Sequence, residues 1–294
     1  MFSRFGISLL LATFCLLHSL YAQSPGCISN ESQAAEKAQE TKITIVGIEF
    51  QGESQLPEAL RSQLSKDVEQ MHLHVTPENS DQDWIGQVIN SIMNTLQSQG
   101  YFKALVDGTP FLVRAEPKER FYVLRVEVNS GRQYQVGEIR IENATLFSST
   151  ELRSQFPLQQ GDLFDVIKIR QGMESMTKLY SSKGYIDFVP EPELTIHEDP
   201  KGPIDILMKM DEGVQYRVRA VDTLGLGKRA EDLLKSQLQP GDVFDSVSFS
   251  RFLKENADVF PNEDDSARTH TQIRRDPKNG TVDIVMDFRC PAKA

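Results

Sequence analysis

The stretch LQQGDLFD at residues 158–165 returns 80 positions later as LQPGDVFD at residues 238–245. A repeat of this length is too long for one turn of a solenoid and suits a small domain copied in tandem. Glycine and tyrosine landmarks recur with it: Gly100-Tyr101 as Gly184-Tyr185, and Gly131 with Tyr134 as Gly213 with Tyr216. The sequence therefore predicts three tandem copies of one unit.

The N-terminus has the features of an export signal. Arg4 precedes an apolar run at residues 7–20, and Ala22 fits a signal-peptidase site, so we assign residues 1–22 to a signal peptide. Residues 23–41 are polar, which is typical of a disordered linker. No later stretch approaches the roughly 18 consecutive apolar residues of a transmembrane helix. We therefore expect an exported chain that is soluble after cleavage.

Charge and cysteine content narrow the class of partner. The chain has 32 basic and 42 acidic residues and a net charge of −10, so nucleic acid is not an expected partner.

Cys27 and Cys290 remain after removal of the signal, and an even pair permits a disulfide in an oxidising compartment. Tandem domains hold their termini far apart, however, whereas a disulfide needs Cα atoms within about 7 Å. A Cys27–Cys290 bond, an intermolecular bond and free thiols all stay open.

The hydrophobic pattern predicts the order β, α, α, β, β in every unit. In the second unit the strands fall at residues 134–141, 186–196 and 204–210, and the helices at 149–156 and 165–182. Very short linkers join the units and limit hinge motion. The predicted boundaries are 42–129, 130–212 and 213–290, followed by a tail at 291–294.

The run GRQYQVGEIRIEN at residues 131–143 resembles the opening of POTRA repeats, the polypeptide-transport-associated modules of Omp85 outer-membrane assembly proteins. The pattern of Leu158, Gly161, Asp162 and Phe164 before the second helix resembles the same module. The resemblance implies an α+β fold of three POTRA-like modules in an elongated, semi-rigid rod. Each module is expected to be a three-stranded mixed sheet covered by two helices, with strand three central and strand two at an edge.

Omp85 proteins carry POTRA repeats in front of a membrane β-barrel, whereas this chain ends six residues after its last predicted strand. We therefore expect a non-catalytic module in the periplasm or on the periplasmic face of the outer membrane. The resemblance implies that it binds unfolded outer-membrane polypeptides or an Omp85-type β-barrel partner, as an accessory to assembly or secretion.

Several alternatives stay open at this point. The chain could be a structural scaffold of a secretion or cell-division envelope complex, or a barrel-less truncated paralogue that binds no client. It could also be a secreted glycoprotein, since Asn30, Asn143 and Asn279 begin N-x-Ser/Thr sequons.

The edge strands are the expected binding surfaces, because their unpaired backbone groups can accept an extended segment as a further strand. Proline blunts the edges of units 1 and 2 at Pro110, Pro190 and Pro192, whereas the third edge has none, so we expect the third to bind first. The alternative is that neighbouring units cap these edges. The predicted binding residues are Thr269, His270, Thr271, Gln272, Ile273, Arg274 and Arg275 in unit 3, Phe111, Leu112, Val113 and Arg114 in unit 1, and Glu193, Leu194, Thr195 and Ile196 in unit 2.

No pattern indicates catalysis, a cofactor or a metal site. His72 and His74 can share one face of a strand, but no third ligand has a suitable spacing. The acidic residues 263–265 lack the spacing of a calcium loop. Paired aspartates recur in the duplicated stretch, and we interpret them as turn and helix-cap residues rather than as paired catalytic acids. They are Asp162 and Asp165, then Asp242 and Asp245.

Overall fold

The computed structural model describes residues 41–51, 56–75, 81–199, 201–260 and 270–288. The signal peptide, almost all of the predicted linker, the C-terminal tail and the acidic residues 263–265 lie outside these ranges, as do Cys27, Thr269 and Cys290. The described ranges hold ten strands and six helices, arranged around three separate sheets. We call each sheet with its helices a unit.

Unit 1 contains four strands and two helices. They are β1 (Thr41–Gln51), α1 (Glu58–Glu69), β2 (Leu73–Val75), α2 (Asp81–Ser98), β3 (Leu105–Glu116) and β4 (Glu119–Asn129). The sheet order is β2-β1-β4-β3, with β4 parallel to β1 and antiparallel to β3. Strand β2 was not predicted, because three residues with one buried side chain, Leu73, are too short to show alternation. The expected three-stranded sheet therefore gains a short fourth strand in this unit.

Units 2 and 3 repeat the same topology with three strands each. Unit 2 contains β5 (Val136–Glu142), α3 (Ser149–Arg153), α4 (Val166–Ser181), β6 (Val189–Ile196) and β7 (Ile204–Asp211). Unit 3 contains β8 (Arg217–Leu224), α5 (Lys228–Gln237), α6 (Ser246–Glu255), β9 (His270–Asp276) and β10 (Thr281–Asp287). The orders are β5-β7-β6 and β8-β10-β9. The predicted α+β fold is confirmed, with strand three central and strand two at an edge.

Each unit buries its own hydrophobic core between the sheet and the helix pair. The central strand β7 alternates buried and more exposed positions, and its core-facing side chains are at most 4% exposed: Ile204, Ile206, Met208 and Met210. The predicted apolar stripe of α4 supplies the opposing surface, with buried side chains at Ile169, Met176 and Tyr180. The methionines of this stripe are therefore core residues.

The duplicated stretch forms a turn followed by a helix cap. The Asp165 carboxylate accepts from Ile167 N at 2.9 Å at the start of α4, and Asp245 accepts from Ser248 N at 2.9 Å at the start of α6. Asp162 and Asp242 act one turn earlier, where each accepts the backbone N–H three residues before it. The structural interpretation of the aspartate pairs is therefore correct.

A partly buried carboxylate, that of Glu212 directly after β7, ties the end of the unit 2 sheet to the loop after β5. Burial opposes ionisation of Glu212, but bonds from Leu146 N, Thr145 Oγ1, Thr145 N and Tyr180 Oη outweigh it and lower its pKa to about 2. Since this pKa lies below the value of about 4.5 in an unfolded chain, the carboxylate stabilises the fold fully above that value. The stabilisation is lost as the pH falls from about 4.5 towards 2.

We predict that Glu212→Gln lowers the free energy of unfolding at pH 7 by about 1.5–3 kcal/mol, because charge-assisted hydrogen bonds are lost. Urea titrations at several pH values measure the effect, and the gap between wild type and variant should close between about pH 5 and pH 2. Glu191→Gln, on exposed β6 backbone, is the control and should leave the curve unchanged. A gap of constant size down to pH 2 contradicts the assignment.

Candidate protein-binding edges

The three predicted binding strands all lie at sheet edges. Strands β3, β6 and β9 each pair on one side only among the residues that the structure describes, and no strand of a neighbouring unit joins them. The hypothesis that a neighbouring unit caps each edge by strand pairing is therefore not supported within these residues.

The hydrogen bond that ends the β6 ladder shows which backbone groups point away from the sheet. His197 N donates to Pro203 O at 3.0 Å, so the backbone of His197 is directed towards β7. Successive residues of a strand point their backbone N–H and C=O groups to opposite sides. The outward positions, whose backbone groups point away from β7, are therefore Ile196, Leu194, Pro192 and Pro190. Two of the four outward positions on β6 thus lack an N–H.

Positions whose backbone groups point away from the sheet can be recognised in the other units by the residue opposite them on the central strand. On β6 they lie opposite the core-facing residues of the central strand, as Pro192 lies opposite Met208. On β3 the only proline, Pro110, lies opposite buried Leu124, where its missing N–H costs no ladder bond. The same relation assigns Thr271, Ile273 and Arg275 as the outward positions of β9, opposite Met286, Ile284 and Val282.

The third edge therefore keeps the donors that the second edge has lost. Thr271 lies opposite Met286, which is the position equivalent to Met208, so Thr271 stands where unit 2 has Pro192. None of the outward positions of β9 is a proline. The sequence-based preference for the third edge thus acquires a physical basis, while binding there stays a prediction.

The helix beside the edge also differs between units. Helix α2 packs against β3 and α4 packs against β6, whereas no comparable contact joins α6 to β9 within the described ranges. Ile273 on β9 faces the helix side of the sheet and is 36% exposed. Arg274 donates to the Gln272 side chain on the opposite face. The third edge thus combines an open backbone with an accessible apolar side chain.

The edge of unit 1 presents a different surface. Phe111, Leu112 and Val113 are 39%, 55% and 62% exposed, and the register shifts after Leu112 because Val113 forms a β-bulge. The guanidinium of Arg125 lies 3.9 Å from the centre of the Phe111 ring. A bulge of this kind twists an edge and interrupts continuous pairing, which disfavours β3 as a long template.

The repeated glycines and tyrosines, whose role the sequence did not reveal, form the joints between units. Gly100 and Gly184 both end a second helix with φ +85°, and their carbonyls accept Tyr134 N at 2.9 Å and Tyr216 N at 2.8 Å. A Cβ at Gly184 would lie 2.8 Å from Tyr216 O, so a glycine is needed for the close approach as well as for the backbone angle. The same interaction therefore joins units 1 and 2 and units 2 and 3.

Ion pairs of opposite polarity lie at the two joints. Lys103 of unit 1 binds Glu198 of unit 2 at 2.7 Å, whereas Asp187 of unit 2, 84 positions after Lys103, binds Arg275 of unit 3. Asp187 also accepts the Tyr216 hydroxyl, and burial together with this bond raises the pKa of Tyr216 to about 12. Arg275 therefore links the end of the β9 edge to the preceding unit.

The histidines give no support for a metal site. Across the described ranges, no group of three or more His, Cys, Asp or Glu side chains is arranged to hold an ion. His74 lies in β2 and His72 just before it, while His197 pairs with the Asp205 carboxylate at 2.7 Å. The bond from His197 and one from Glu138 N lower the pKa of Asp205.

No helix in these ranges has the length and apolar character needed to cross a membrane.

Comparisons with known proteins identify the repeated fold. Residues 134–213 match the POTRA family, described as "Surface antigen variable number repeat". A protein of Treponema pallidum (strain Nichols), provisionally named an outer membrane protein assembly factor, is 24% identical over 162 residues, which are 53% of this chain and 19% of the relative. The match thus spans about a fifth of that protein's length.

A solved structure extends the likeness to all three units. The crystal structure of POTRA3-5 of BamA from Haemophilus influenzae matches with a TM-score of 0.63 at 18% identity, over 85% of this chain and 96% of that one. The N-terminal domain of Omp85 from the cyanobacterium Thermosynechococcus elongatus matches at 17% identity, over 84% of this chain and 97% of that one, with a TM-score of 0.30. The expected resemblance to POTRA repeats is confirmed: residues 134–213 match the POTRA family, and the chain has the fold of tandem POTRA domains.

We predict that Arg275→Glu loosens the second joint, and that adding Asp187→Lys partly restores it by reproducing the polarity of the Lys103–Glu198 pair. Exposed pairs couple by about 0.2–1 kcal/mol, which sets the size of the double-mutant interaction energy. Hydrogen exchange at the Tyr216 amide, which bonds Gly184 across the joint, is the measurement. Additive effects of the two substitutions would show that the pair does not couple the units.

Proposed function

We propose that this chain is a periplasmic protein-binding module that takes up an extended polypeptide segment as an additional strand beside β9. The observation that carries the proposal is the outward row Thr271, Ile273 and Arg275, which has no proline and no strand partner among the described residues. An antiparallel or parallel segment laid along this row gains backbone hydrogen bonds and contact with Ile273. The chain has no need of a catalytic group for this activity.

The class of partner follows from chemistry and from the comparisons together. Backbone pairing reads little sequence, so it suits segments that share only an extended form and an alternating pattern. Unfolded strands of outer-membrane β-barrel proteins have this character. The POTRA fold and the name of the Treponema relative support the same role, as an accessory to outer-membrane protein assembly or secretion, with such polypeptides or an Omp85-type barrel protein as partner.

We predict that Thr271→Pro weakens binding of an extended peptide by at least about tenfold, because one outward N–H at the centre of the contact is lost and the ring obstructs pairing. The fold should tolerate the change, since Pro192 occupies the equivalent position of unit 2. The probe is a fluorescent ten-residue peptide of alternating apolar and polar residues, and anisotropy measures its affinity. Thr271→Ala removes the side chain, keeps the N–H and should bind like the wild type.

The pair of variants makes the result decisive. Equal weakening by proline and alanine would mean that the Thr271 side chain, not the backbone, carries the contact. No weakening by Thr271→Pro, with an unchanged circular dichroism spectrum, would overturn binding at β9 and favour a scaffold that binds no client at this edge.

Crosslinking in the native envelope gives a second prediction. A photo-crosslinking residue in place of Thr271 should capture an outer-membrane polypeptide or a barrel protein, because the position borders the added strand. The control is Ser236, an exposed residue on the far side of α5 from its buried Leu234. Equal labelling from both positions argues against a specific edge.

A further inference from the structure

A groove of about 490 Å³ lies between the second helices of units 2 and 3 and is separate from the β9 edge. Helix α4 contributes Thr177, Lys178 and Ser181 from its C-terminal half. Helix α6 contributes residues from its whole length, among them Ser250, Arg251 and Lys254. The groove therefore spans the second joint and draws on both units.

The charge of the groove is opposite to that of the chain. Its lining contains three cations and no acidic residue, although the whole chain has a net charge of −10. Lys178, Arg251 and Lys254 form no ion pair with another described residue, even though Glu174 and Glu255 lie one helical turn from Lys178 and Arg251. Three unpaired cations around one concave surface concentrate positive potential there.

Hydroxyl groups accompany the cations. Ser181 is 9% exposed, and its side chain, like that of Ser250, makes no hydrogen bond within the part of the chain that the structure describes. The acidic residue next to the groove is Asp245, at the start of α6. Its carboxylate already accepts hydrogen bonds from the backbone and the hydroxyl of Ser248. The groove thus offers both charged and neutral donors to a ligand with several acceptor oxygens.

The first joint supplies an internal comparison. Counted from Gly100 and Gly184, Lys178 corresponds to Asn94, and counted from the caps Asp165 and Asp245, Arg251 and Lys254 correspond to Gln171 and Glu174. Each of the three cations is therefore replaced by a neutral or acidic residue at the equivalent place, and the equivalent positions hold one cation, Arg170 in place of Ser250. The helical fold of the joint does not require the cations, so their presence at the second joint calls for another cause.

We propose that the α4–α6 groove binds a phosphate ester. A phosphate group has multiple oxygens that accept from a guanidinium fork, an ammonium and hydroxyls at once, which matches the mixture of Arg, Lys and Ser. The volume fits a group the size of a phospholipid headgroup or a small phosphorylated metabolite. An acidic polypeptide is less suited, because each carboxylate presents only two acceptor oxygens to the three cations and the hydroxyls. The site is independent of strand pairing at β9.

The test uses the full chain, titrated with glycerol phosphate at constant ionic strength and followed by NMR at the Ser181 and Ser250 amides. The Lys178→Asn, Arg251→Gln variant carries residues that the first joint already accommodates, so it should fold. We expect its affinity to fall by at least about tenfold, with an unchanged thermal midpoint. The control variant, Lys201→Asn with Arg140→Gln, removes the same charge from exposed positions that do not line the groove and should change affinity less than twofold.

Vesicles distinguish the two sources of a phosphate ester. Co-sedimentation with phosphatidylglycerol vesicles that the groove variant loses, without binding to phosphatidylcholine, identifies a lipid headgroup. Saturable glycerol phosphate binding without co-sedimentation identifies a soluble ester. Either result supports the site, and Thr271→Pro should affect neither.

Three results would overturn the proposal. One is that acetate at the same ionic strength shifts the same amides as strongly. Another is that the control variant weakens binding as much as the groove variant. The last is that a glutamate-rich peptide binds the groove while glycerol phosphate does not.

Discussion

The repeating structure depends on one close approach, the hydrogen bond between a left-handed glycine carbonyl and the first tyrosine of the next unit. Gly100 and Gly184 make it possible, since a side chain at either position would meet the tyrosine carbonyl and strain the backbone. The bond fixes where the next sheet begins relative to the helix before it. The packing of Phe102 against the core of unit 2 and of Ile186 against the core of unit 3 follows from that placement.

Joining and binding use different parts of each unit. The joints engage the end of the second helix and the start of the first strand, and they reach the edge hairpin only at its tip, through Glu198 or Arg275. The long side of the edge strand is left out of the joint. The accessibility of the edge backbone therefore depends on the residues of the edge strand itself. Prolines at outward positions of β6 remove backbone N–H groups, whereas the outward positions of β9 keep them. Similar units can therefore differ in binding without any change in how they are connected.

The sequence predicted most of the architecture because the decisive signals are local. The duplicated LQxGD stretch, the apolar stripe of α4 and the alternation of β7 each specify an element from a few neighbouring residues. Strand β2 escaped detection because a three-residue strand is stabilised by its partner rather than by its own pattern. The joint ion pairs and the α4–α6 groove escaped it because their residues lie about 70 or more positions apart and meet only after the units dock. The strands that carry the described binding residues lie at sheet edges, and the direction of their backbone groups could be read only from the register.

The recurrence of the glycine–tyrosine joint has a consequence for how such chains change over evolutionary time. The segment from Tyr101 to Gly184 contains the donor half of the first joint, Tyr134, and the acceptor half of the second, Gly184. A duplication or deletion of a whole segment by unequal recombination would therefore leave every remaining joint complete. The ion pairs at the two joints have opposite polarity. If unit 3 followed unit 1 directly, Lys103 would therefore face Arg275, which carries the same charge. A change in repeat order therefore costs an exposed ion pair at the altered joint, which is worth about 0.2–1 kcal/mol.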